Sequence, residues 1–313
     1  MFTANSIRNI CLLGHSGSGK TALAESLLYM TGAIDRMGKN ADGNTVCDYD
    51  PEEIRRNISI STSVIPVEYK NHKINILDTP GAFDFAGAAM EALRAADAAI
   101  IVCSAKDGIS VGAERNWKLL KAANMPTIFC ISKTGEENGN YAGVLSALQE
   151  KYGSIVCAVT APMSDGTGVI DLVHNVAYQT KGNKTTKIAV PAADADMVES
   201  LRETLMEAAA GADEELMMKY LDGEELKKRI LLSSALYRIN TFWWRILLYH
   251  FKSFDELGHG GFIGKPVPKF LPTSRVLAEE KTVSEVNRRK LQCLKNIHAA
   301  CRKNGTKSLQ QTF

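Results

Sequence analysis

The chain has 313 residues, which is enough for one large domain or two and for a substantial buried core. Hydrophobic residues make up 45% of the chain and charged residues 23%, a composition that excludes a fully disordered, collagen-like or fibrous protein. The formal net charge of +2 gives no general argument for nucleic-acid binding.

The cysteine pattern and the lengths of the apolar stretches indicate in which cellular compartment the protein is expected. The seven cysteines are odd in number and include no CxxC pair, so we expect reduced thiols rather than a disulfide framework or a zinc site. The chain begins with neither a basic nor an apolar leader pattern, and no apolar run approaches the roughly 20 residues that span a bilayer. These features predict a cytoplasmic protein with no membrane partner.

Short apolar runs alternate with helical patterns in the first half of the chain. The runs predict strands at 7–13, 58–69, 74–77, 98–103 and 127–131. The helical patterns cover 20–30, 86–95, 113–123 and 141–152. Because the strands are almost entirely apolar, we predict an α/β fold with a mostly parallel sheet flanked by helices. The stretch VEYKNHKINI predicts one antiparallel hairpin at an edge.

From about residue 163 the pattern changes, and we predict an acidic, α-rich insert over about 163–230. Two helices are expected within 196–226, where Asp196 and Glu199 form a capping signature and Gly211 is a plausible stop. This segment contains ten acidic and two basic residues. It is either a solvated helix face or a docking surface for a basic partner.

Residues 237–313 form a basic tail that we leave unassigned. No acidic residue follows Glu285, whereas seven basic residues do. A basic tail is the simpler interpretation, and contact with RNA is the alternative. The aromatic cluster 242–244 favours core or partner packing over base stacking, and the glycine-rich stretch 258–265 predicts a loop.

A phosphate-binding motif joins the first strand to the first helix. Eight consecutive residues match GxxxxGK[ST]: Gly14, His15, Ser16, Gly17, Ser18, Gly19, Lys20 and Thr21. In such a loop the backbone N–H groups surround phosphate oxygens, and the helix N-terminus adds favourable dipole charge. We expect Lys20 to reach the β- and γ-phosphates and the Thr21 hydroxyl to bind Mg²⁺. His15 is assigned to loop packing rather than to catalysis.

A second motif follows the predicted strand 74–77. Asp78-Thr79-Pro80-Gly81 has the form DxxG, about 60 residues after the phosphate loop. Asp78 at a strand end can hold Mg²⁺ through water, and the Gly81 N–H can sense a γ-phosphate. The catalytic candidates are therefore Lys20 and Gly81.

These motifs in this order resemble the translation-factor GTPases, and most closely elongation factor G and its divergent paralogues. The resemblance covers roughly residues 7–236 and implies a P-loop NTPase G domain over 1–236 that binds GTP and GDP with Mg²⁺. It implies the ribosome as partner, through rRNA and the stalk protein, with the acidic helices within 192–226 facing the stalk. The activity it implies is hydrolysis of GTP to GDP and phosphate on the ribosome.

The resemblance also implies roles for five further positions. The segment 55–61 resembles the first switch, with Ser59 in place of a Mg²⁺-binding threonine. Ser132 and Lys133 stand in place of the guanine-reading Asn-Lys pair. Ser234 and Ala235 resemble the Ser-Ala element that supports the base.

Four departures from the family pattern change the expectations. Gly135 replaces the aspartate that accepts hydrogen bonds from guanine, and Glu136 is one residue too late. Ala82 replaces the histidine that positions the attacking water, so we expect slow intrinsic hydrolysis. Gly17 replaces an acidic loop residue, which puts a monovalent-cation site in doubt. Only about 77 residues follow Leu236, without barrel-like alternation, so we expect no complete translocase.

Three hypotheses follow. The first is an elongation-factor-G-like GTPase, and the second is a nucleotide-binding, ribosome-associated module without turnover. The third is a P-loop ATPase or kinase of another family, which the absence of the guanine-reading aspartate permits but the order of the motifs does not favour.

Overall fold

The computed structural model describes residues 2–3, 6–69, 71–153, 156–181, 184–211, 214–222 and 261–264. Eleven strands lie in these ranges: β1 Ile7–Gly14, β2 Ser63–Tyr69, β3 His72–Asp78, β4 Ala98–Ser104, β5 Thr127–Ser132, β6 Cys157–Ala158, β7 Thr160–Pro162, β8 Gly168–Asp171, β9 Val176–Lys181, β10 Lys184–Ile188 and β11 Gly261–Gly264. Seven α-helices lie there too: α1 Lys20–Met30, α2 Pro51–Arg56, α3 Ala86–Ala95, α4 Val111–Ala122, α5 Tyr141–Tyr152, α6 Ala195–Ala210 and α7 Glu214–Leu221.

The main sheet has the strand order β2-β3-β1-β4-β5-β11-β6. Strands β3, β1, β4 and β5 are parallel, whereas β2 pairs antiparallel with β3 and forms the predicted edge hairpin. The prediction of a loop over 258–265 is wrong for β11, which pairs antiparallel with β5 and β6. The parallel centre of the sheet brings the carboxyl ends of β1, β3, β4 and β5 to one edge.

Both faces of the sheet are buried, which confirms the mostly parallel α/β fold. Along β1 the side chains alternate, so Ile10 and Leu12 pack with α1 on one face while Cys11 and Leu13 pack on the other. The second face carries the larger core, to which α3, α4, α5 and α6 contribute. Trp117 of α4 lies 5.2 Å from the Phe129 ring of β5, between centroids.

The predicted strand 58–69 begins later than expected, at Ser63. Its first residues fold back along α2, where the N–H groups of Ile60 and Ser61 donate to the carboxylate of Glu53. These two backbone N–H groups therefore cannot form hydrogen bonds to a neighbouring strand. In α4 the Ser110 side chain accepts a hydrogen bond from the Ala113 N–H, so the helix begins at Val111 rather than at 113.

The insert is α-rich only in its second half. Its first half is a four-stranded antiparallel sheet in the order β10-β9-β8-β7, which the sequence analysis does not predict. These strands have only three to six residues, too few for a clear alternating pattern. Ile170 and Ala177 of this sheet belong to the same core as the main sheet.

The helical half of the insert agrees with the prediction except at its start. Helix α6 ends before Gly211, as predicted, but Asp196 lies inside its first turn rather than at the cap. Asp194 occupies the cap position after a short 3₁₀ turn, and its carboxylate accepts from the Ser164 N–H instead. Helix α7 lies within the second predicted helix. Residues 223–226 and the tail outside 261–264 lie outside the described residues.

Within the described residues, no helix is long and apolar enough to cross a membrane.

Candidate functional site

The phosphate loop lies between the end of β1 and the start of α1. Gly14 approaches β4 so closely that a Cβ on it would lie 2.5 Å from the Val102 carbonyl oxygen. Gly17 and Gly19 have φ values of 74° and 92°, which side chains rarely adopt. The loop conformation therefore depends on glycine at these positions and leaves the helix N-terminus open to a ligand.

Lys20 is buried directly beneath this loop. Its Nζ donates to the Gly14 carbonyl at 3.2 Å and to the His15 carbonyl at 2.9 Å. Burial lowers the pKa of Lys20, and the nearby Asp78 carboxylate opposes that shift. The lysine is thus held in place by backbone acceptors and can donate to an anion at the loop.

Thr21, Ser59 and Asp78 meet at the predicted Mg²⁺ position. The Thr21 hydroxyl donates to Asp78 Oδ2 at 2.7 Å and lies 3.3 Å from Ser59 Oγ. Burial raises the pKa of Asp78 to about 7. The structure therefore brings together three oxygen-bearing side chains from the loop, the first switch and the end of β3.

Three buried polar atoms of the phosphate loop and the DxxG motif have no hydrogen-bond partner within the described part of the chain. They are His15 Nδ1, Ser18 Oγ and Asp78 Oδ1. A buried unpaired carboxylate oxygen is costly, and a hydrated Mg²⁺ ion would satisfy it. The donor set fits Mg²⁺, which prefers oxygen ligands and takes the rest of its shell from water and phosphates.

Asp48 joins this cluster, although the sequence analysis misses it. Its carboxylate is buried, accepts from Asn40 Nδ2 at 2.9 Å, and is hydrogen-bonded to Ser59. Burial raises its pKa. Its only sequence signal is an acidic residue shortly before the switch segment, which is too common to single it out.

Gly81 lies against the phosphate loop. A Cβ built on it would lie 2.5 Å from Lys20 Nζ and 2.5 Å from the Ser16 nitrogen. The preceding Thr79 is fully buried, and its hydroxyl donates to the Leu12 carbonyl at 2.6 Å, which fixes the end of β3 to β1. The DxxG motif is thereby held beside the loop.

Ser132 occupies a structural position at the end of β5. Its hydroxyl donates to the Ser18 carbonyl at 2.7 Å and lies 3.2 Å from the Cys103 carbonyl, so it links the phosphate loop to β4 and β5. Lys133 follows in a left-handed conformation with φ of 59°. Gly135 and Glu136 are exposed beyond it. Ser234 and Ala235 lie outside the described residues.

Ala82, the residue after Gly81, has no polar side chain. Ala82 leads into a 3₁₀ turn, and the next residue, Phe83, is 46% exposed. The Phe83 ring lies 5.8 Å from the His15 ring and 5.7 Å from the Arg115 guanidinium. His15 therefore packs against Phe83.

A parallel sheet with a glycine-rich loop, a buried lysine and an Asp-Thr-Pro-Gly turn at its carboxyl edge defines a P-loop NTPase of the G-domain class. The family described as "Elongation factor Tu GTP binding domain" matches residues 5–237. The chain belongs to this family of translation GTPase G domains.

Two similar relatives carry the name "Elongation factor G-like protein". They come from Mycobacterium tuberculosis strains CDC 1551 / Oshkosh and H37Rv, and each is 35% identical over 228 residues. The alignment covers 72% of this chain and 32% of each relative, so the chain spans about a third of their length. A solved structure from Thermus thermophilus is 36% identical with a TM-score of 0.69, covering 74% of this chain and 36% of that one.

Proposed function

We propose that this chain binds GTP and GDP with Mg²⁺ and hydrolyses GTP slowly, in connection with the ribosome and in the cytoplasm. The observation that carries the proposal is the convergence of Lys20, Thr21, Ser59 and Asp78 at the phosphate loop. The comparisons with G domains do not favour the alternative of a nucleotide-binding module without turnover.

Each residue of the cluster has a proposed role. Lys20 donates to the β- and γ-phosphates, and the loop N–H groups surround the phosphate oxygens. Thr21 and Ser59 would hold Mg²⁺ through their hydroxyls, and Asp78 through water. When bound, Mg²⁺ neutralises charge on the phosphates. Gly81 presents its N–H to the γ-phosphate, so the DxxG turn responds to the difference between GTP and GDP.

Hydrolysis is proposed to be slow because Ala82 cannot position a water molecule. A methyl group neither donates nor accepts a hydrogen bond, and loss of a group that positions or moves a proton typically costs on the order of 10²–10⁴ in rate. A ribosomal partner would have to supply that group for rapid turnover.

The acidic insert is the proposed contact with the ribosomal stalk protein. Asp196, Glu199, Glu203 and Glu207 are exposed and recur every three or four residues, so they lie along one face of α6. A row of carboxylates on one helix face suits a basic partner.

The proposal is tested by measuring equilibrium binding of GTP, GDP and ATP with Mg²⁺ by calorimetry. We expect both guanine nucleotides to bind more tightly than ATP. Gly135→Asp should increase the preference for GTP over ATP by on the order of 10²–10⁴, because two charged hydrogen bonds contribute about 1.5–3 kcal/mol each. Gly87→Asp is the matched control, since Gly87 is exposed on α3 with open space around it. Equal binding of ATP and GTP in both variants would contradict the assignment of the base site.

Gly81→Ala is expected to weaken GTP binding at least tenfold while leaving GDP binding within a few-fold. The added methyl would collide with Lys20 Nζ and the Ser16 backbone, so the turn must move away from the γ-phosphate position. Titration of each nucleotide into the purified variant measures the effect. Gly87→Ala, where a Cβ meets no atom within 4 Å, serves as control. An equal loss for GTP and GDP would instead indicate a general disturbance of the loop.

A further inference from the structure

We infer that Glu53 is a positioning residue that holds Ser59 beside Thr21. Mg²⁺-dependent binding of a nucleoside triphosphate then depends on a carboxylate that contacts neither the metal ion nor the nucleotide. This inference rests on the proposed function of the Thr21, Ser59 and Asp78 cluster. It assigns a role to a residue of α2, just before the first switch, that the site described above does not include.

Glu53 binds both sides of the switch segment. It is 2% exposed and lies in the first turn of the six-residue helix α2. Its Oε2 accepts from the Asp50 N–H at 3.2 Å, before the helix. Its Oε1 accepts from the Ile60 N–H at 2.8 Å and from the Ser61 N–H at 3.0 Å, directly after Ser59. One carboxylate therefore ties the start of the helix to the segment that folds back along it.

The backbone between these contacts reverses sharply. Asn57 ends α2 in a left-handed conformation with φ of 53°, and the Ile58 N–H donates to the Glu53 carbonyl. The reversal places Ser59 Oγ 3.3 Å from Thr21 Oγ1. Because Ile60 and Ser61 are anchored immediately after it, Ser59 has little freedom to leave that position.

The Glu53 carboxylate can stabilise the switch segment when it is folded back along α2 without preventing the segment from leaving. No salt bridge to Glu53 occurs within the described residues, and burial raises its pKa while the backbone donors oppose that shift. A buried carboxylate without a cation is costly unless backbone donors satisfy it. When the switch segment folds back, those donors are present. When it leaves, the carboxylate returns to water, so Glu53 stabilises the closed arrangement without making the open one unfavourable.

Glu52 provides the matched control. It is the neighbouring glutamate on the same helix, its side chain is 38% exposed, and it pairs with Arg55 and Arg56 instead of with backbone N–H groups. Glu52→Gln therefore removes the same charge but leaves the hydrogen bonds that hold Ile60 and Ser61 unchanged.

The experiment measures Mg²⁺ titrations of fluorescently labelled GTP and GDP bound to the full chain. Glu53→Gln is expected to raise the Mg²⁺ concentration needed for GTP binding about tenfold to a hundredfold, since charge-assisted bonds to two N–H groups are weakened. GDP binding should change less than threefold, and Glu52→Gln should change neither. Glu53→Asp keeps the charge but is one methylene too short to reach both Asp50 and Ile60, so it should show the same selective loss.

A double-mutant cycle with Ser59→Ala separates positioning from general stability. If Glu53 acts through Ser59, adding Glu53→Gln to Ser59→Ala should cause little further loss of GTP binding. Equal losses of GTP and GDP, or additive effects in the cycle, would overturn the inference while leaving the proposed function intact. Failure of the unmodified chain to bind any guanine nucleotide would overturn the proposed function and the inference with it.

Discussion

Replacing Lys20 with alanine is expected to weaken GTP binding at least a hundredfold. Lys20 is 5% exposed, its ammonium is already oriented by the Gly14 and His15 carbonyls, and it is proposed to donate to two phosphates. Each charged hydrogen bond contributes about 1.5–3 kcal/mol, so losing two gives a factor of this order. Calorimetric titration with GTP and Mg²⁺ measures it directly.

The control for this experiment is Lys118→Ala, because Lys118 is exposed on α4. It should bind GTP as the unmodified chain does. Thermal unfolding of Lys20→Ala without nucleotide shows whether the variant keeps its fold when the contacts of Lys20 with the Gly14 and His15 carbonyls are lost. An unchanged dissociation constant in Lys20→Ala would show that the phosphate site has been placed wrongly.

Introducing histidine at position 82 is expected to raise the rate of GTP hydrolysis by on the order of 10²–10⁴. Ala82 has an extended backbone conformation, with φ of −76° and ψ of 143°, that accepts a histidine without strain. Its place directly after Gly81 lies beside the position proposed for the γ-phosphate. Single-turnover hydrolysis, with and without ribosomes, reports the change.

Ala123→His carries the same substitution at the exposed end of α4 and should not alter the rate. Nucleotide affinity should be nearly the same in both variants, because the imidazole is needed for the reaction rather than for binding. If Ala82→His and Ala123→His hydrolyse GTP equally slowly, the missing histidine is not what limits turnover in this protein.

The phosphate loop and the central sheet are predictable because their residues act locally. Gly14, Lys20 and Thr21 lie within one strand–loop–helix unit, where a short motif fixes the geometry. The apolar character of the central strands reports burial on both faces, so the α/β class follows without knowledge of the contacts.

The features that the sequence does not reveal depend on contacts between distant segments. Asp48 enters the cluster through its hydrogen bond with Ser59, which lies beside Thr21, and the Glu53 contacts require the reversal at Asn57. The strand β11 lies nearly 130 residues after its partner β5, beyond the range of any local pattern. Such pairings are set by tertiary structure, whereas hydrophobic periodicity reports only the local face of an element.

Every cysteine in the described part of the chain is buried and forms no disulfide: Cys11, Cys47, Cys103, Cys130 and Cys157. Burial raises the pKa of each, so none reacts readily with an alkylating reagent until the structure around it opens. Cys47 lies in a loop, which is attached to α1 because the Cys47 N–H donates to the Glu25 carboxylate. Cys11, Cys103 and Cys130 instead lie within strands of the main sheet. The rate of modification at Cys47 therefore reports local opening of that loop, and the rates in the strands report opening of the sheet. The protein contains its own chemical reporters for both kinds of motion.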